Sequence, residues 1–298
     1  MAREKVGIIG LGAMGKPMAL NLLKGGFEVF AFDIRKEPLE ELEASGAHAL
    51  TCPHSVATHA DRVITILPSS RDVQESILGR NGMIATLREG KILIEMSTIS
   101  PLVTQELAGH VEKTGAKMID GPVSGGGKGA EEGTLTIMVG GDTEVFEQCR
   151  PILMAVGKNV HHVGAIGMGE TVKMLNQLLV GVNLIGVCET VGLASKLGVN
   201  LEQLYEILRT SAGRSMQLES KMPMIVSGSY DTAFKIDFME KDLGYAVEMA
   251  RDVEFPLIFG GLAHTLFLAT QAERGKNGVE AMMNLFEAIG NVKLQKSL

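Results

Sequence analysis

Residues 10–19 read "GLGAMGKPMA" and follow directly on the apolar run "VGIIG" of residues 6–10. Glycines at 10, 12 and 15 give the spacing G-x-G-x-x-G between a predicted strand and a predicted helix. Each glycine has its own physical role. The first permits a sharp turn, the second lets backbone approach a pyrophosphate, and the third lets the helix pack against the strand. The phosphates then sit at the positive end of the helix dipole. A tight turn without a ligand has the same spacing, so context decides. A second β-branched run, "EVFAFD" (28–33), ends in Asp33 about 20 residues on, where an acid receives the adenosine ribose hydroxyls. The stretch therefore predicts a dinucleotide site formed by Gly10, Leu11, Gly12, Ala13, Met14, Gly15 and Asp33. A carboxylate at Asp33 repels a ribose 2′-phosphate and favours NAD over NADP, while Arg35 and Lys36 read as solvated charges opening the next loop.

Outward from this turn, the runs "RVITIL" (62–67), "KILIEMS" (91–97), "KMIDGP" (117–122), "TLTIMVGG" (134–141) and "NVHHVG" (159–164) alternate with longer helical stretches. Such alternation predicts right-handed crossovers and a mostly parallel sheet. Helix punctuation agrees in "STISPLVTQELAGHVEKTG" (97–115), where Ser100 can cap, Pro101 suits the first turn and Gly115 ends the pattern. After Gly164 the pattern changes. Residues 167–198 contain no proline and are apolar around most of a helical circumference, which predicts one long helix packed among neighbours. Further helices separated by "GVN" (198–200), "SAGRS" (211–215), "VSGSYD" (226–231) and "EFP" (254–256) follow, with no strand. The expected architecture is α/β: a Rossmann-type dinucleotide domain at 1–164, then a long helix and an all-helical domain at 165–298.

Composition excludes several classes. A net charge of -7 over 298 residues argues against nucleic acid, whose binding needs clustered Lys and Arg. The N-terminal residues show no secretory pattern, and no uninterrupted apolar run reaches the roughly 20 residues of a membrane span, so a cytoplasmic protein is expected. Cys52, Cys149 and Cys188 are widely spaced and read as small buried hydrophobes rather than disulfide partners or zinc ligands. No metal is expected: His161 and His162 face opposite sides of a strand, and His48, His54 and His59 form no ligand triad.

Four segments in order, "GLGAMGKPMA" (10–19), "DGPVSGG" (120–126), "GAIGMGETVKMLNQ" (164–177) and "KDLGYA" (241–246), make the chain resemble the β-hydroxyacid dehydrogenase family over nearly its full length. The resemblance implies a Rossmann domain, a connecting helix and an all-helical domain that mediates homodimer or homotetramer contacts. It also implies reversible, NAD- or NADP-dependent oxidation of a small 3-hydroxy acid to its semialdehyde. Lys173 and Asn176 lie three residues apart and share a helical face. From the residues alone Lys173 also fits a lysine snorkelling at the helix edge; the resemblance makes it the catalytic general acid/base and Asn176 its supporting amide. A partly desolvated lysine has a lowered pKa, which suits proton transfer near neutrality.

"DGPVSGG" offers a hydroxyl and unobstructed backbone N–H groups, a nest suited to a carboxylate. By resemblance Ser124, Gly125 and Gly126 bind the substrate's acid group, although "SGG" alone also fits a flexible turn. Leu67, Pro68 and Thr98 at strand ends, and Lys241 in the helical half, match cofactor positions of the family. Arg214 in "SAGRS" is a candidate for a second anionic group, since guanidinium binds carboxylates in bidentate geometry. That segment resembles 2-(hydroxymethyl)glutarate dehydrogenases, so a dicarboxylate is the leading substrate. Tartronate semialdehyde and 3-hydroxyisobutyrate are the alternatives, and a non-catalytic nucleotide-binding homologue is the rival from another class. Lys173 argues against that rival and against an imine reductase; chain length argues against a phosphogluconate dehydrogenase. Asn176-Gln177, where relatives have two asparagines, and the pair Glu131 and Glu132 are departures left without a role.

Overall fold

The computed structural model describes residues 3–294. The chain divides into two compact units, Met1–Lys173 and Met174–Leu298. The first opens with β1 (Lys5–Ile9), α1 (Gly15–Lys24), β2 (Glu28–Phe32), α2 (Lys36–Ala44), β3 (His48–Ala49), α3 (Pro53–His59), β4 (Arg62–Thr65) and α4 (Ser70–Leu78). It continues through β5 (Ile92–Glu95), α5 (Pro101–Glu112), β6 (Lys117–Asp120), β7 (Val123–Ser124), α6 (Gly126–Glu132), β8 (Leu135–Gly140), α7 (Thr143–Val156) and β9 (Gly157–Gly164).

These strands form one sheet in the order β3-β2-β1-β4-β5-β6-β8-β7, with β9 also beside β8. The first six are parallel; β8 runs antiparallel to β6 and β7, and β9 parallel to β8. The order 3-2-1-4-5-6 reverses direction between β1 and β4, and the glycine turn leaves β1 at that switch point.

Strand alternation builds two cores, one on each face. Val6, Ile8, Val29, Ala31, Ile64 and Ile94 pack with Met18 and Leu22 of α1 and Ile152 and Leu153 of α7. Ile9, Phe30, Val63 and Leu93 point the other way, onto Val56 of α3, Val73 and Ile77 of α4, and Leu107 and Val111 of α5. Each fully buried aliphatic side chain contributes about 1.5–3 kcal/mol relative to exposure.

α8 (Met168–Lys196) starts in the first unit and runs for 29 residues, about 43 Å at 1.5 Å per residue. The second unit adds α9 (Leu201–Leu208), α10 (Met216–Ser227), α11 (Ile236–Asp252), α12 (Ile258–Arg274) and α13 (Met283–Gly290). Leu184, Cys188 and Val191 of α8 pack with Met222 of α10, Leu243 of α11 and Phe267 of α12. By length and composition α8 could also cross a membrane. Leu184, Cys188 and Val191 bury one face of it in this core, while Leu175, Leu179 and Leu193 are exposed.

Several sequence expectations need correction. β3 and β7 escape the reading because strands of two residues carry no periodicity. The sequence places the change of pattern at 164/165; the compact units meet a little further on, inside α8 at Lys173/Met174, with the first turns of that helix counted in the sheet unit. Cys149 and Cys188 are buried as expected, but Cys52 is only half-buried, at the start of α3. Burial pushes the Cys149 thiol up to about 12. For Cys52, burial acts in the same direction, yet hydrogen bonds from Ser55 outweigh it and lower the thiol.

Candidate functional site

The glycine turn is built by exclusion of volume. A Cβ at Gly15 would overlap the carbonyl oxygen of Gly10, and one at Gly10 the carbonyl oxygen of Ile66. These contacts draw β1, α1 and the end of β4 together. Gly12 differs, since nothing lies within 4 Å of where its Cβ would stand. That open backbone, flanked by exposed Ala13 and half-buried Met14 at the N-terminus of α1, fits a pyrophosphate.

Asp33, 8% exposed beyond the end of β2, accepts the Leu11 N–H at 2.7 Å through Oδ2. Arg35 is exposed, as the sequence suggests, but it is also paired. Its backbone N–H and Nε reach Asp33 Oδ1 at 2.8 and 3.0 Å, and its guanidinium also donates to Leu11 O at 3.2 Å. Burial by itself would raise the Asp33 carboxyl, but the bonds from Arg35 and Leu11 prevail and hold it below its ordinary value. Leu67, Pro68 and Thr98 lie at the carboxyl ends of β4 and β5. The Leu67 N–H donates to Ser97 Oγ at 2.8 Å, which ties these two ends together.

Beneath them sits Glu95, which the sequence reading missed. Its carboxylate accepts from Thr65 Oγ1 at 2.7 Å and from the Ser97 N–H at 2.5 Å. Complete burial pushes this carboxyl up to about 7, against the lowering effect of the Ser97 and Thr65 bonds. Asp120, its neighbour in register on β6, adds to the rise.

Lys173 is buried on α8, and its Nζ donates to the carbonyl of Val123 at 2.8 Å. That carbonyl immediately precedes half-buried Ser124 and exposed Gly125 and Gly126. Gly125 and Gly126 take φ of +136° and +63°, a backbone reserved for glycine, at the bend that opens α6. Asp120 is a second residue missed. Fully buried at the end of β6, it accepts the N–H groups of Gly167 and Glu170 at 2.7 and 2.8 Å. An acid ending a predicted strand inside a quoted motif was the signal available.

In the helical unit, Asn176 Nδ2 donates to Gln177 Oε1 at 3.0 Å, and Gln177 Nε2 donates to Asp242 Oδ2 at 2.7 Å. Lys241 Nζ lies 3.1 Å from Asp242 Oδ1. Gln177 thus acquires a role: a carboxylate only accepts, so Asp242 fixes the Gln177 amide, which in turn orients Asn176. Arg214 is exposed in the turn between α9 and α10, with no ion pair among the described residues. Glu131 and Glu132 end α6; Glu132 lies 3.9 Å from Lys128, an exposed pair. Among the described residues no group of three His, Cys, Asp or Glu side chains is placed to hold a metal ion.

Residues 5–164 match the NAD binding domain of 6-phosphogluconate dehydrogenase, and residues 167–286 the NAD-binding domain of NADP-dependent 3-hydroxyisobutyrate dehydrogenase. The chain is 39% identical to the 2-(hydroxymethyl)glutarate dehydrogenase of Eubacterium barkeri over 97% of both chains. The chain belongs to the β-hydroxyacid dehydrogenase family. It is also 38% identical to the mitochondrial 3-hydroxyisobutyrate dehydrogenase of Homo sapiens, over 89% of this chain and 81% of that one. The crystal structure of 3-hydroxyisobutyrate dehydrogenase from Salmonella typhimurium superposes with a TM-score of 0.88 at 30% identity, covering 95% of this chain and 99% of the other. As a β-hydroxyacid dehydrogenase the chain takes NAD or NADP, and the open backbone at Gly12 beside Asp33 is the part of the fold that fits it.

Proposed function

We propose that the protein oxidises a 3-hydroxy acid to its semialdehyde, reversibly, with Lys173 as general acid/base and the turn Ser124-Gly125-Gly126 as the carboxylate site. The observation that carries this reading is the buried Lys173 amine held 2.8 Å from the Val123 carbonyl, one residue before that turn. The acid-binding groups and the base are thereby neighbours in one unit.

The bound nicotinamide supplies the hydride acceptor. In oxidation Lys173 Nζ takes the hydroxyl proton; in reduction it returns a proton to the forming alkoxide. The Ser124 hydroxyl and the Gly125 and Gly126 N–H groups hold the carboxylate and so orient the hydroxyl-bearing carbon. Asn176, oriented through Gln177 and Asp242, supports the reacting oxygen. Proton transfer of this kind contributes about 10²- to 10⁴-fold in rate. Lys173→Ala is expected to lower kcat by about 10²- to 10⁴-fold with cofactor affinity within a few-fold of wild type. A near-normal kcat in that variant removes Lys173 from its role.

Within the class, a dicarboxylate such as 2-(hydroxymethyl)glutarate is the leading substrate, supported by the 39% identity with the Eubacterium barkeri enzyme and by Arg214 as an available cation. The 38% identity with the human enzyme supports 3-hydroxyisobutyrate as the second reading. A panel of hydroxy acids and semialdehydes, followed by absorbance of the reduced nicotinamide with NAD and NADP in parallel, separates them. Arg214→Met raises KM for dicarboxylates alone if the first reading holds. NAD is the preferred cofactor on the strength of the Asp33 carboxylate. The exposed side chains of Val253, Phe255, Ile258, Phe259 and Leu262 support association of identical chains, which light scattering of the purified protein tests.

A further inference from the structure

We propose that Asp120 is a positioning residue that sets the distance between the carboxylate-binding turn and the Lys173 amine, and through it the preference for acids bearing their hydroxyl on the third carbon. The proposal rests on the roles given above to Lys173 and to Ser124, Gly125 and Gly126.

The first turn of any helix leaves N–H groups that the helix itself cannot satisfy, and a local Ser, Thr or Asp is the usual partner. α8 instead receives its acceptor from 47 and 50 positions away in sequence: Asp120 Oδ1 takes the Gly167 N–H at 2.7 Å and Oδ2 takes the Glu170 N–H at 2.8 Å. A negative charge there also suits the helix dipole. The approach is close enough to require glycine on both sides, because a Cβ at Gly140 would overlap Oδ1 and one at Gly169 would overlap Oδ2. Among the described residues Asp120 has no ion-pair partner, so these N–H groups are what compensates its burial.

Three residues after Asp120 comes the second tie, the Val123 carbonyl to Lys173 Nζ at 2.8 Å. The start of α8 is therefore fastened at two points to residues 120–123, and the carboxylate turn follows without a break. One tie ends in a fully buried side chain at a strand end, and the other joins the buried Lys173 amine to a backbone carbonyl. Turn and amine behave as a gauge of fixed length. A substrate whose carboxylate occupies the turn offers its hydroxyl to Lys173 at one reach, which a 2-hydroxy acid undershoots and a 4-hydroxy acid overshoots by a carbon–carbon bond.

The test uses the full-length enzyme with straight-chain 2-, 3- and 4-hydroxy acids of equal charge, alongside thermal melting and cofactor titration. Asp120→Asn keeps one acceptor oxygen but sets an amide NH2 against the second N–H, which releases the helix start. The expected result is a fall of roughly 100-fold in kcat/KM for the 3-hydroxy acid, as for a displacement of about 1 Å. The 2- and 4-hydroxy acids should lose much less, so that the preference narrows while cofactor affinity stays unchanged. Asp120→Glu, which lengthens the tie, should shift the preference toward a different chain length. Where the longer side chain prevents folding, Asp120→Ser keeps one acceptor without added bulk and gives the same readout. Equal losses for all three acids, leaving the preference intact, assign Asp120 a purely structural role and overturn the proposal. A wild-type enzyme inactive on every hydroxy acid overturns the functional reading itself, and the proposal with it.

Discussion

Two glycine-rich segments leave the carboxyl edge of the same sheet, residues 10–15 after β1 and residues 120–126 after β6, yet they need glycine for different reasons. In the first, a Cβ at Gly10 or Gly15 would overlap a backbone carbonyl, and only Gly10 also has a left-handed φ, of +97°. In the second, Gly126 has open space around it and is required because its φ of +63° is unfavourable for other residues. The buried carboxylates that organise the segments differ as well. Asp33 has a guanidinium partner at 3.0 Å; Asp120 has only N–H donors. One sequence signal thus stands for two physical arrangements, steric closeness at Gly15 in the turn after β1 and backbone conformation alone at Gly126 in the turn proposed to bind the acid.

The sharpest way to break this contrast is Gly15→Ala. Forcing a methyl group into the Gly10 carbonyl should cost about 3 kcal/mol or more, or prevent folding, as read from denaturant midpoints. A midpoint equal to wild type would show that the turn relaxes and is not sterically set. Gly12→Ala comes next and separates ligand from fold. Because its surroundings are open, stability should change by less than about 0.5 kcal/mol, while KM for the nicotinamide cofactor rises roughly tenfold because the methyl group obstructs the pyrophosphate's approach. Gly126→Ala should cost about 1–2 kcal/mol through its left-handed backbone and raise KM for the acid with the cofactor KM unaffected. If the cofactor KM moves instead, the assignment of the two turns is wrong.

The smallest effect concerns pH. Asp33 is held below its ordinary value, so its contribution to stability is complete above the unfolded carboxyl value of about 3.9 and is lost as pH falls through the lower folded value. Asp120 is raised by burial in spite of its N–H donors, so stability declines as pH rises from the unfolded value through the folded one. Urea midpoints of Asp33→Asn and Asp120→Asn, each compared with wild type between about pH 2 and pH 7, should therefore drift in opposite directions, Asp33→Asn in the acid part of that range and Asp120→Asn above the unfolded carboxyl value. Asp120→Asn gains relative to wild type with rising pH, and Asp33→Asn loses. Parallel drifts would mean that the two carboxylates share one environment.

Much of the fold was legible because it is written in local pattern. Alternating β-branched runs marked seven of the strands, and an apolar circumference marked α8. The two-residue strands β3 and β7 and the antiparallel run of β8 were not legible, since neither length nor alternation distinguishes them. Among the proposed site residues, the placement of Lys173 beside Val123 and the turn that follows it depends on a contact 50 residues apart in sequence. Glu95 and Asp120 read as ordinary acids at strand ends; only burial reveals that they hold the ends of β4, β5 and the start of α8.

What the sequence alone determined was the class of fold and the position of the glycine turn, because helical and strand periodicities and glycine spacing are properties of neighbouring residues; Lys173 was singled out by the family resemblance. Which groups face that amine, what supports Asn176, and how Arg35 neutralises Asp33 were decided by tertiary structure. Hydrogen bonds between residues far apart in sequence form only once the sheet and helices bring their donors and acceptors within about 3 Å, and no local pattern records that meeting.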